Sequence, residues 1–376
     1  MKNERLISLD ILRGMTVMLM IFVNNGGGEQ IFAPLQHARW NGMTLCDMVF
    51  PFFLFIMGIS TYLSLSKSHF QWSPRLGRKI AKRTCLLFLI GLFINWFDMA
   101  LHGQALDFSH LRILAVMQRI ALCYAATALL ALACANGCKT LRAFPAIIVG
   151  VLVFYGGIIL LYGGYDYNAE TNILAIVDKA VLGADHLYQR SPVDPEGLLS
   201  TLPSIAHTMI GFWVAHLAFA VGGDDTRQRT RDITLTLLIA GAVLVMVGFL
   251  LSFGMPLNKR IWSPSYVLVT CGFASLLQGL LVWLIDSRQG HADRPTNDRR
   301  WGWALIFGTN PLFLYVASEL IAIVFGATGV STMLYAALQK VIVDGYWTSV
   351  AFAATFVAIH AAMGYPLWKR HIYIKL

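Results

Sequence analysis

Residues 24–60 read NNGGGEQIFAPLQHARWNGMTLCDMVFPFFLFIMGIS. This stretch closes one apolar segment and opens the next. It sets Asn24, Asn25, His37, Trp40, Asn41 and Asp47 among residues that would otherwise suit lipid. Polar and ionisable groups at membrane depth are expensive, and they face a bundle interior or a wet cavity where they act on something.

Composition widens that reading to the whole chain. Of 376 residues 57% are hydrophobic and 13% charged, and mean hydropathy is +0.63. A soluble domain holds about 45–50% apolar and about 25% charged residues. The chain therefore reads as an all-α polytopic membrane bundle, with roughly 20 apolar residues per span. Backbone groups inside a bilayer must be satisfied within each helix, which favours a bundle. A net charge of +9 suits basic cytoplasmic loops better than nucleic acid. The N-terminal residues lead into the first span without a cleavage signature.

Ten spans are expected, at 11–25, 44–66, 85–97, 113–135, 144–162, 198–221, 233–253, 265–285, 303–325 and 347–368. An apolar stretch at 331–343 is too short to cross and is expected at the interface. The longest polar loop is 163–197. Alternate segments, starting with the N-terminal one, carry 20 of the 29 Lys and Arg residues; the others carry 8, and Arg13 lies just inside the first span. The positive-inside rule then puts both termini in the cytoplasm and His37 outside. Residues 1–376 read as a single domain without internal repeats. Gly26–Gly28 and Pro51 are expected to interrupt regular helix there. The six cysteines form no CxxC, so neither a zinc site nor a disulfide framework is indicated, and buried free thiols are expected.

Several side chains can carry chemistry. An imidazole exchanges protons near neutrality, so His37 is either a general base, a nucleophile, or an interfacial histidine bonded to a carbonyl. Asp47 either orients His37 or pairs with an arginine such as Arg119. Asn24 and Asn25 either hold a carbonyl or acetamido group or cap a helix end. Asp10 and Arg13, three residues apart, suit a local ion pair. Arg112, Gln118 and Arg119 flank one span end, where two guanidinium forks suit an anion. Asn310 and Glu319 lie in the ninth span. Asp194 and Glu196 precede the sixth, as caps or ligands. His102, His110, His186, His207 and His216 show no metal-ligand spacing. No GxxxxGK[ST], HExxH or GxSxG occurs.

Six segments carry a family resemblance: RLISLDILRGMTVMLMIFVNNGGG, LQHARWNGMTLCDMVFPFFLFIMGIS, LRILAVMQRIALCY, DPEGLLSTLPSI, PLNKRIWSPSYVL and GTNPLFLYVASE. In that order they resemble the heparan-α-glucosaminide N-acetyltransferase family and its bacterial sugar-associated homologues. The large luminal domain and extra first helix of the animal enzyme find no counterpart here, and residues 26–37 read slightly longer. The resemblance implies a bacterial inner-membrane acetyltransferase that moves acetyl from cytoplasmic acetyl-CoA to an amino sugar or glycan terminus outside. It implies His37 as the active histidine and Asn24 as the active asparagine. Asp47 completes the catalytic set, and Asn25, Trp40, Asn41, Arg112, Gln118, Arg119, Asn258, Lys259, Trp262, Asn310 and Glu319 are the binding candidates. No metal or nucleic acid is expected; the lipid bilayer and a second copy of the chain are expected partners. The other reading is a transporter of N-acetylglucosamine or a related sugar. Transporters show paired broken helices, and the sequence suggests only the Gly26–Gly28 break.

Overall fold

The computed structural model describes all residues except 1–5, 138–140, 164–166, 189–190, 192, 221–225, 288–299 and 375–376, so Cys138 lies outside the described residues. Among the described residues there are helices and no strands. The helices are α1 (Ile7–Asn24), α2 (Leu45–Ser66), α3 (Pro74–Leu101), α4 (Val116–Gly137), α5 (Phe144–Gly163), α6 (Ile173–Leu182) and α7 (Thr201–Ala220). They continue with α8 (Thr226–Ser252), α9 (Pro264–Leu281), α10 (Gly302–Thr309), α11 (Pro311–Ala327), α12 (Val330–Gln339) and α13 (Gly345–Lys369). Nine of these described helices are long and apolar enough to cross a membrane, and the α10–α11 pair makes up to ten.

Burial sorts the spans into two rings. Within its most apolar window α2 buries 72% of residues and α7 67%, whereas α3 buries 17% and α8 28%. So α2 stands at the hub against α1, α4, α7 and α9, while α3 leans on α4 and α8 on α9. Small residues allow the inner helices to approach closely, as membrane interfaces require. A Cβ on Gly58 would lie 2.2 Å from the Thr208 carbonyl oxygen, and one on Gly211 would lie 2.3 Å from that of Phe55. Gly14 and Gly308 lock α1 to α10 in the same way.

Several sequence expectations are corrected. Pro51 does not interrupt α2, which runs unbroken from Leu45 to Ser66. Proline cannot donate to the carbonyl four residues back, and that carbonyl, of Asp47, instead accepts the Tyr266 hydroxyl at 2.5 Å. The third span is longer than 85–97, because Ser73 caps a helix beginning at Pro74 and the basic run 75–83 forms its first turns. At 1.5 Å per residue its 28 residues outreach the ~30 Å hydrocarbon core, so the charges clear it. The loop 163–197 contains α6, capped by Asn172 and stopped by Gly183 at φ 85°. The ninth span is bent by 83° between α10 and α11. Asn310-Pro311 makes that break, with Pro311 opening α11. Gly26–Gly28 is therefore not the sole break. Of the cysteines, Cys46, Cys123, Cys134 and Cys271 are buried, but Cys85 is exposed.

Candidate functional site

The loop from α1 to α2 brings His37 onto the start of α2. Thr44 and Asp47 form a reciprocal capping box there. Asp47 Oδ2 accepts from the backbone N–H of Thr44 and of Ala38, both at 3.0 Å. The other oxygen, Oδ1, lies 2.8 Å from His37 Nδ1. The Asp47 side chain is 1% exposed and that of His37 51%. One carboxylate thus starts the helix and aims a half-open imidazole. A ring nitrogen facing a carboxylate carries the proton, which leaves Nε2 with the lone pair.

A second loop, between α8 and α9, closes over this site. Asn258 and Ser263 tie it into a tight turn: Asn258 N–H donates to Ser263 Oγ at 3.1 Å, and Ser263 N–H to the Asn258 carbonyl at 3.0 Å. The turn is docked on the His37 loop by Gly42 N–H on the Leu257 carbonyl at 2.7 Å and by Asn258 Nδ2 on Asn41 Oδ1 at 3.1 Å. From it Lys259 reaches His37, with Nζ 3.1 Å from Nδ1 and 3.4 Å from Nε2, and 3.7 Å from Asp47 Oδ1. Burial holds the Lys259 ammonium below the usual lysine range, against the opposing charges of Asp47, Cys46 and Glu196. Trp262 is held at φ 51° and fully buried, with its ring against Phe50, His207 and Tyr266. Trp40 donates its indole N–H to the Tyr167 carbonyl.

The two arginines are used differently from a pair of anion clamps. Arg112 is already engaged: Nη2 lies 2.6 Å from Asp194 Oδ1 and 2.7 Å from Glu196 Oε2. Asp194 and Glu196 are its counter-ions rather than helix caps. Burial pushes the Glu196 carboxyl up, but the Arg112 guanidinium, with Arg119 and Lys259 beyond it, outweighs that and holds it below the usual glutamate range. Arg119 is not the partner of Asp47. It lies over the Trp262 ring at 5.0 Å and donates to the Gly197 carbonyl and Ser200 Oγ, while Nε and Nη1 have no hydrogen-bond partner. The Gln118 amide is buried without a partner as well.

The remaining candidates divide. Asn25 returns its amide to the Ile21 carbonyl at 2.8 Å, a helix-end cap. Asn24, the last residue of α1, is exposed, and its side chain meets the Glu319 carboxyl, which also faces Tyr315. Asn310 stands apart from His37: its amide holds the C-terminal tail through Ile372 and Ile374, at 2.9 and 2.8 Å. Asp10 and Arg13 form the expected ion pair at 2.9 Å. Sequence reasoning missed Cys46, whose Sγ lies 3.2 Å from His37 Nδ1 and 3.7 Å from Nε2. It also missed Tyr266. Cys46 sits one residue before Asp47, and that adjacency was the available signal.

Known proteins resemble this chain in sequence. The family described as "Heparan-alpha-glucosaminide N-acetyltransferase, catalytic" matches residues 5–240. The human protein named heparan-alpha-glucosaminide N-acetyltransferase is 30% identical over 371 residues, which is 84% of this chain and 53% of that protein. The mouse protein of the same name is 27% identical over 374 residues, 85% of this chain and 54% of that protein. The chain spans about half the length of the curated relatives it matches.

Proposed function

We propose a reaction for a chain that belongs to the heparan-α-glucosaminide N-acetyltransferase family: transfer of acetyl from cytoplasmic acetyl-CoA to the amine of an amino sugar outside. The membrane is the inner membrane of a bacterium. The observation that carries the reading is the half-exposed His37 ring with Nδ1 on Asp47 at 2.8 Å. That contact leaves the lone pair of the ring on Nε2, which serves as the base.

His37 Nε2 takes a proton from the sugar amine as its nitrogen attacks the thioester carbonyl. The C–N bond forms, the C–S bond breaks, and the proton held on Nε2 passes to the coenzyme A thiolate, giving the thiol and restoring the base. Acetyl-CoA and amine thus give amide and free thiol, with atoms balanced. The general-base route is preferred to an acetyl-imidazole, because a pocket open to both substrates needs no carrier.

Sidedness is supported by the distribution of Lys and Arg. The nucleotide stays at the basic cytoplasmic rim, near Lys79, Lys82 and Arg83, and the thin pantetheine arm reaches up the bundle. Asn24, placed beside Glu319, suits the acetamido or amine end of the acceptor. A cell-envelope glycan fits the same chemistry as free glucosamine.

One observation favours a sugar transporter: the 83° break between α10 and α11 makes that span a broken helix. Proteoliposomes separate the two. With acetyl-CoA supplied only on the side of the basic rim and glucosamine on the other, the acetyltransferase gives N-acetylglucosamine on the glucosamine side. Sugar flux without acetyl-CoA, and no acetylated product with it, would support the transporter instead.

A further inference from the structure

Lys259 is the charged group closest to the His37 ring that the scheme above leaves without work. Its Nζ is 3.1 Å from Nδ1 and 3.4 Å from Nε2. Nδ1 cannot serve both neighbours. Its proton goes to Asp47 Oδ1 at 2.8 Å, so it has no lone pair for an ammonium. At these two distances Nζ lies alongside the ring, close to both nitrogens and off the axis of the Nε2 lone pair, so the ammonium bears on the ring as a neighbouring charge and leaves that lone pair free for the substrate proton.

The ammonium is also weakly held elsewhere. Asp47 Oδ1 is 3.7 Å away, beyond a good hydrogen bond. The other Asp47 oxygen already takes the amides of Ala38 and Thr44. The backbone of Lys259 is fixed by the Asn258–Ser263 turn, and its four-carbon stem carries Nζ from there to the His37 ring. The side chain is 15% exposed, so the charge acts in a medium of low dielectric, where it counts for more than in water.

We infer that Lys259 is a second catalytic residue of this reaction: its ammonium, held beside the His37 ring, stabilises the charge that gathers on the acetyl oxygen while Nε2 takes the proton of the acceptor amine. The inference rests on the acetyltransferase reading. An amine on Nε2 that is about to attack holds the thioester carbon roughly 3–3.5 Å from its nitrogen, which brings the carbonyl oxygen within reach of an Nζ standing beside the same ring. As the C–N bond forms, negative charge gathers on that oxygen and the ammonium stabilises it. When the C–S bond breaks, the charge leaves with the thiolate. Lys259 keeps its proton throughout and acts by charge and position.

The test compares Lys259→Met and Lys259→Arg with the unaltered protein in acetyl transfer from acetyl-CoA to glucosamine, with coenzyme A affinity and thermal midpoint measured alongside. The expected result for Lys259→Met is a kcat lower by roughly 10²–10³-fold, the size of losing one oxyanion donor. Its KM for acetyl-CoA, coenzyme A affinity and midpoint should stay close to those of the unaltered protein. Lys259→Arg should recover at least part of kcat. Should Lys259→Met not fold, Lys259→Gln carries the same expectation. Wild-type kcat in the neutral variants would overturn the inference and leave the acetyltransferase reading standing. So would a loss shared equally by Arg and Met that follows coenzyme A affinity. An unaltered protein that transfers no acetyl would remove both.

Discussion

The imidazole of His37 is held by Asp47 through an Nδ1 to Oδ1 contact of 2.8 Å, and the same carboxylate caps the helix that forms the hub of the bundle. Orientation of the ring and initiation of α2 are therefore one structure. Pro51 extends the link: its missing N–H frees the Asp47 carbonyl for Tyr266 on α9. A change at Asp47 is felt by the reactive ring and by two inner helices together.

Asp47→Asn separates these effects. The amide keeps the shape but not the charge, and it places an NH₂ where an acceptor was. Acetyl transfer should fall by on the order of 10²–10⁴-fold, as when an orienting acid is lost from a base. Stability should fall by about 0.5–2 kcal/mol, the size of an impaired helix cap. Steady-state kinetics and thermal unfolding in the same detergent check both.

Arg112→Leu should be among the most damaging changes outside the His37 site. It strands the buried carboxylates of Asp194 and Glu196, which lie 2.6 and 2.7 Å from the guanidinium. Removing one partner of a buried ion pair costs about 3–5 kcal/mol. Because Arg112 holds the Glu196 carboxyl below its ordinary 4.5, its stabilisation is complete above that pH and is lost as pH falls through the folded value. The gap in thermal midpoint between Arg112→Leu and the unaltered protein should therefore be widest near neutrality and narrow in acid.

Asp178 predicts the opposite sign. Burial pushes its carboxyl from 3.8 up to about 6, although Leu198 N–H donates to it. One carboxylate oxygen has no partner. A raised carboxyl favours the protonated folded state, so its ionisation destabilises progressively between pH 3.8 and about 6. Asp178→Asn keeps an acceptor for Leu198 and removes the charge. It should stabilise the protein by up to ~3 kcal/mol at neutral pH, with the gain vanishing below about pH 4. Unfolding midpoints measured across that range read the effect directly.

The fold was largely legible because lipid demands long apolar helices, and ten such stretches stand out. What stayed hidden was local or long-range. Thr44-x-x-Asp47 is a capping-box pattern, and it would have shown that Asp47 faces back toward the loop holding His37. Asn310-Pro311 is a helix-breaking dipeptide, masked by the apolar run around it. Asn172 and Gly183 bracket α6 as N-cap and stop signals, but a polar loop drew no search for a helix. The Arg112 fork was read as open to a ligand, because nothing local ties it to Asp194, 82 residues away. Lys259 lies 222 residues from His37, and only folding brings the two together.

The central claim is that His37 is the base of an acetyl transfer, and His37→Ala tests it most directly. The purified variant and the unaltered protein are given acetyl-CoA and glucosamine, with folding checked by thermal unfolding. The account predicts a folded variant whose rate of N-acetylglucosamine formation is lower by on the order of 10²-fold or more. A folded variant that acetylates glucosamine at the unaltered rate would contradict it.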